Sequence, residues 1–280
     1  MENVDKNIMP RKKDLMISCG EVISCSLISH FLESNNIPSE PLTGQQAGII
    51  TTDNFNNSDI LSINTNKITG ILNNGKVVVI AGFQGATDEG EITTLGRGGS
   101  DTTAVVLGGY LKAKRVDIFT DVPGIAKTDP RIVPSVAYLS GVTCEDMLKL
   151  ANHGAKIIHP RAVKAALDFD VPVRVRSTFT EDLGTLITNE QLEYDHGIIG
   201  MALEKDNLET QVYILFEEGY FETIKSNLES YFQWQEVLPE SVNWSYNEAT
   251  FTLPSSMIGQ VIQGLYNYLH GKNKELSFNL

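Results

Sequence analysis

Three observations in the sequence predict an α/β fold followed by a smaller α+β module. Apolar runs of strand length alternate with helical stretches through short joins over the first two thirds of the chain. Several of those runs end in polar, glycine-containing loops, as strands of an α/β sheet do at a ligand-binding edge. Composition then shifts: residues 189–280 hold 14 Asp and Glu against 4 Lys and Arg, together with both tryptophans and seven of the nine tyrosines. Such a shift marks a boundary, so the chain reads as a domain over 1–188 and a second over 189–280.

The elements follow in order. Residues 14–32 have helical spacing, with Leu15, Ile17, Cys19, Val22, Ile23, Leu27, Ile28 and Phe31 supplying a broad apolar face. ProLeuThrGlyGlnGlnAlaGlyIleIle (41–50) reads as a strand and turn, and residues 76–83 as a fully buried strand. Residues 101–111 read as a helix, with Ser100 or Asp101 near its cap, and 116–122 as another buried strand. Helices are expected over 143–150 and 160–169, and a strand over 171–177. After Gly184 the rhythm becomes strand (210–216), helix (220–232), strand (247–253), helix (257–269), with 274–280 a candidate last strand. That order suits a small ferredoxin-like module.

Composition excludes several classes. A net charge of -13 is unsuited to a nucleic-acid footprint. No apolar run reads as long enough to span a membrane, and the polar start is unlike a secretory signal, so a cytoplasmic protein is expected. Cys19, Cys25 and Cys144 cannot all pair within one chain and lack zinc-site spacing, so reduced, structural thiols are expected.

The chemistry concentrates at strand ends. GlyArgGlyGlySerAsp (96–101) joins three glycines, a guanidinium, a hydroxyl and a carboxylate between two elements. Glycines let backbone amides approach an anion, and Arg97 can grip a carboxylate or phosphate through two parallel hydrogen bonds. GlyPheGlnGlyAlaThr (82–87) lies beside it if the strands run the same way. The next strand ends in ThrAspValProGlyIle (120–125), ThrAspProArg (128–131) lies just beyond, and LysIleIleHisPro (156–160) opens after another turn. Together they form a candidate nucleotide site, with Arg131 and Lys156 for phosphates and Thr120 and Asp121 nearer base and ribose. Singly, Asp121, Pro123 and Asp129 are also ordinary turn residues, and Lys156 could be a solvated lysine. His159 reads as a structural hydrogen-bonding residue. Neither GxxxxGK[ST] nor GxGxxG occurs.

These motifs, with CysGlyGluValIleSer (19–24), GlyGlnGlnAlaGlyIleIleThrThrAsp (44–53) and GlyAlaLysIleIleHisProArgAla (154–162), resemble aspartate kinases of the amino-acid kinase superfamily from about Asp14 to Thr188. The resemblance implies an amino-acid kinase-like sheet flanked by helices. It implies transfer of phosphate from ATP, with Mg²⁺ bridging the phosphates, to the side-chain carboxylate of L-aspartate, for lysine, threonine and methionine synthesis. By the same resemblance Glu21 engages the amino group of the substrate and Arg97 its α-carboxylate, with Phe83, Ser100 and Asp101 completing the pocket. Asp101 would also organise the cationic groups around the transferred phosphoryl. Thr120, Asp121, Arg131 and Lys156 would serve ATP. The C-terminal module resembles a single regulatory ACT domain, which implies a lysine or threonine effector and pairing between copies of the chain.

The family opens with a strand and a LysPheGlyGlyThrSer loop for which this sequence has no counterpart. Open sheet edges and exposed apolar surface are therefore expected. So is weak or absent transfer by this chain alone, since loss of one preorganised donor typically slows such chemistry by about 10² to 10³. The alternative expectation is a non-catalytic relative or a regulatory partner of an intact kinase. Ala126 stands where relatives often carry an aromatic near adenine. A kinase of glutamate or acetylglutamate fits the motifs less well.

Overall fold

The structure, a computed structural model, describes residues 8–155, 157–194 and 197–271. These form two compact units, Met1–Ile118 with Lys164–Val171, and Phe119–Val163 with Pro172–Leu280.

The first unit opens with helix α1 (Pro10–Ser34), where proline at the first position suits an end that needs no amide donor. Strands β1 (Ser39–Leu42) and β4 (Val77–Ile80) form a two-stranded parallel sheet beside it. A four-stranded sheet runs β3-β2-β5-β6, from β2 (Ile49–Thr51), β3 (Ile60–Ile63), β5 (Gln84–Ala86) and β6 (Ile92–Thr94). Helix α2 (Asn66–Asn73) leads into β4, and α3 (Gly99–Tyr110) follows β6. Strand β7 (Val116–Thr120) carries the chain from the first unit into the second, and the close of α5 (Pro160–Phe169) belongs to the first. There a Cβ on Gly109 would stand 2.3 Å from the Phe169 ring, so glycine is what admits that ring.

Several expectations are corrected here. The apolar face of α1 points outward: Ile23, Leu27 and Phe31 are 61%, 64% and 66% exposed, while Asp14, Ser18, Cys25 and Ser29 are buried. The small, hydrogen-bonding face is the one that fits against the sheets: Ser29 Oγ lies 2.7 Å from Ser39 Oγ, and the Cys25 thiol donates to the carbonyls of Leu42 and Val79. Burial pushes that thiol up, as befits a structural cysteine. By length and composition, with mean hydropathy 1.6 over 18 residues, α1 could also cross a membrane, so the expectation that no run is long enough does not hold. Strand β4 is not fully buried, because it and β1 each leave one edge unpaired among the described residues; Val77 is exposed and Val78, Val79 and Ile80 are half-buried. Likewise Phe119 of β7 is exposed.

In the second unit a mixed sheet runs β7-β9-β10-β8, with β8 (Gly141–Thr143), β9 (Val173–Ser177) and β10 (Thr185–Thr188). Thr143 caps helix α4 (Cys144–Asn152) by accepting from the Asp146 amide, while its hydroxyl donates to the Asp146 carboxylate. An antiparallel sheet follows in the order β11-β12-β14-β13: β11 (Ile198–Lys205), β12 (Glu209–Phe216), β13 (Glu240–Ser245) and β14 (Glu248–Pro254). Val212, Ile214, Phe216, Phe251 and Leu253 meet helices α6 (Phe221–Trp234) and α7 (Ile258–Leu269) in one core. The predicted strand–helix–strand–helix order is present, with β13 added between α6 and β14 and β11 preceding β12 and pairing at its outer edge. The candidate strand at 274–280 lies outside the described residues.

Candidate active site

In the first unit the sequence turns sharply between β6 and α3. Gly96 and Gly98 have φ of 74° and 67°, and a Cβ on Gly96 would stand 2.8 Å from Asn57 Oδ1, so the turn requires glycine. Gly98 takes the cap position, which places Ser100 and Asp101 in the first turn of α3, near the cap as expected. Their end of the helix carries the favourable dipole for an anion. Arg97 between the glycines is exposed and makes no ion pair with a described residue.

Phe83 is locked beside this turn. Its φ of 68° is rare for a side chain of that size. Its amide donates to Thr103 Oγ1 at 3.0 Å, and its carbonyl accepts from the Leu95 amide at 2.9 Å. A Cβ on Gly99 would lie 2.7 Å from the Phe83 ring and 3.0 Å from Leu95 Cβ. Gly99→Ala is therefore expected to displace the ring and to cost about 1–3 kcal/mol, read from the urea-unfolding midpoint. Phe83, Arg97, Ser100 and Asp101 thus share one corner. Glu21 stands on α1 one turn beyond Ser18, whose carbonyl accepts from the Gln84 side chain at 3.0 Å.

Asp14 was absent from the sequence-based site. Fully buried, its carboxylate accepts from the Asn56 amide (2.9 Å), the Thr94 amide (2.8 Å) and the Thr94 hydroxyl (2.7 Å). It ties α1 to the two segments that frame the glycine turn. The signal for it was a lone carboxylate at the start of an apolar helical stretch.

In the second unit β7 ends at Thr120, whose carbonyl accepts from the Thr178 amide at 2.8 Å and whose hydroxyl lies 3.2 Å from Asp121. Beyond it a cavity of about 580 Å³ is lined by Val122, Thr128, Arg131, Tyr138, Met201 and Lys205, among others. One wall is a hairpin: the Lys127 amide donates to Ala137 O and the Leu139 amide to Ile125 O. Thr185 Oγ1 clasps its base, accepting from the Ile125 amide and donating to Leu139 O. The other wall is β11, joined to the hairpin where the Met201 amide donates to Lys127 O at 2.7 Å.

Arg131 reaches the rim 85% exposed, its guanidinium held in a two-pronged pair by Asp129 at 3.0 and 2.8 Å. The hydrogen bonds from Arg131 hold the Asp129 carboxyl below its usual range. The pair's contribution is therefore present above that range and lost as pH falls through the depressed value. Lys205 adds a second cation 3.9 Å from Asp129. The Thr128 hydroxyl is buried beside the cavity with no partner among the described residues. Thr120 and Asp121 precede Val122 without lining the cavity, and Lys156 lies outside the described residues. His159 accepts from the Arg161 amide at the start of α5, a structural role. A more open depression of about 610 Å³ between α6 and α7 also touches Arg131 and is otherwise lined by Tyr231, Trp234, glutamines and glycines, among others.

Sequence reasoning overlooked Tyr138, Lys205 and β11 as cavity walls, since strand pairing brings together residues more than sixty positions apart. No group of three or more His, Cys, Asp or Glu side chains that could hold a metal ion occurs among the described residues.

Comparison with known proteins accords with this geometry. The chain is 44% identical to aspartokinase 1 of Bacillus subtilis over 205 residues, covering 71% of this chain and 51% of that protein. Against the aspartokinase of Geobacillus stearothermophilus it is 43% identical over 215 residues, covering 76% and 52%. The chain spans about half the length of these curated relatives. Among solved structures it superposes on aspartokinase III of E. coli, in complex with aspartate and ADP, with a TM-score of 0.66 and 25% identity, covering 92% of this chain and 61% of that one. The amino acid kinase family matches residues 2–177, and the chain belongs to that family.

Proposed function

We propose that this chain binds L-aspartate and ATP and transfers the terminal phosphoryl group to the side-chain carboxylate of aspartate. The observation that carries this reading is the 96–101 turn, where Arg97, left unpaired by its neighbours, stands at the amino end of α3 beside the fixed Phe83. The crystallised E. coli relative holds aspartate and ADP, which supports the choice of ligands.

In this reading Arg97 takes the α-carboxylate by a two-pronged pair and Glu21 the ammonium group, leaving the β-carboxylate free to react. A β-carboxylate oxygen bonds to the γ-phosphorus while the bond from that phosphorus to the ADP oxygen breaks. The acceptor is already ionised at neutral pH, so no base is required. Catalysis then rests on positioning and charge stabilisation. Arg131 and Lys156 offset phosphate charge, Thr120 and Asp121 serve the ribose side, and Asp101 orders the cations around the transferred group. Magnesium would come with the nucleotide and neutralise its phosphates.

We assign residues 1–188 to the kinase part and 189–280 to an ACT-type regulatory module that takes lysine or threonine and pairs copies of the chain.

Thermal melting tests the two binding halves separately. ATP with magnesium, and aspartate, should each raise the melting temperature, because a ligand at about 100 times its dissociation constant stabilises by about 2.7 kcal/mol. Glutamate should do less than aspartate. No shift with either substrate would contradict the reading.

A further inference from the structure

The cavity of the second unit contains one aromatic ring among its lining residues, that of Tyr138. Tyr138 pairs with Ala126 in an isolated antiparallel bridge. The flanking bonds, Lys127 amide to Ala137 carbonyl and Leu139 amide to Ile125 carbonyl, make this a non-hydrogen-bonded pair, in which the two side chains lie closest on one face. Alanine on the partner strand leaves the space beside the ring open. The ring is 40% exposed and both residues line the cavity. Thr128 also stands among the lining residues, its hydroxyl buried. The lining also holds Arg131 and Lys205, with Asp129 between them and Glu204 beside Lys205 in sequence.

A planar heteroaromatic group fits the open space beside this ring. We infer that Tyr138 is the residue on which the base of the nucleotide stacks. The inference rests on the nucleotide reading of this cavity and adds to it the residue that supplies the stacking ring. The ring comes from the returning strand of the hairpin, with Ala126 making room for it. Stacking on tyrosine is tolerant of base identity, because every base has a π-face.

Titration calorimetry on the full chain tests this, with ATP and inorganic tripolyphosphate as separate probes. Tyr138→Ala should weaken ATP about ten-fold, the loss expected for one stacking ring, and leave tripolyphosphate unchanged; Tyr138→Phe should bind ATP as the parent does. A Tyr138→Ala protein that binds ATP as tightly as the parent, or loses both probes equally, overturns the stacking role. A parent chain that binds no ATP overturns the inference together with the kinase reading beneath it.

Discussion

Replacing Arg97 by alanine is expected to lower kcat/KM for aspartate by about 10² to 10³, the usual loss for one well-placed donor at a charged group. The side chain is exposed and flanked by two left-handed glycines, so folding should not depend on it. A urea-unfolding midpoint equal to that of the parent, measured beside steady-state kinetics, separates the two effects. Lysine at this position keeps the charge and loses the planar fork, so an intermediate rate is expected. A variant that retains the parent rate would remove the turn from the substrate site.

Asp14→Ala should act through stability instead. The buried carboxylate satisfies three donors, the Asn56 amide and the amide and hydroxyl of Thr94. Each donor left buried and unpaired costs about 1–3 kcal/mol, so a loss of 3 kcal/mol or more is expected, read from the urea midpoint. Asparagine would recover only part of it, since its amide nitrogen would face donors. Thr94 closes β6 directly before the glycine turn, so weaker aspartate binding should accompany the lost stability. A neutral substitution would show that these bonds do not frame the turn.

Helices with strong local signals were legible in the sequence. The stretch over 160–169 forms α5 over those same residues, and 257–269 forms α7 to within one residue. The short strands β3, β5, β6, β8, β10 and β13 were not, because three to six residues carry too little periodicity. Helix α1 was found but turned the wrong way: the apolar stripe was taken for the core, whereas serine, cysteine and aspartate make the packed side. Of the candidate site, the sharp turn at 96–101 was legible because three glycines fall within six residues, although such a stretch can also be an ordinary capped turn. Tyr138 and Lys205 were not, since only the hairpin and β11 place them together.

The central claim is phosphoryl transfer to aspartate, and trapping the acyl phosphate with hydroxylamine measures it most directly. With ATP, magnesium and aspartate, the full chain should form aspartyl hydroxamate at a slow but measurable rate that vanishes when either substrate is omitted and falls by about 10² or more in Arg97→Ala. A folded parent chain that binds both substrates yet forms no more hydroxamate than Arg97→Ala would contradict the account.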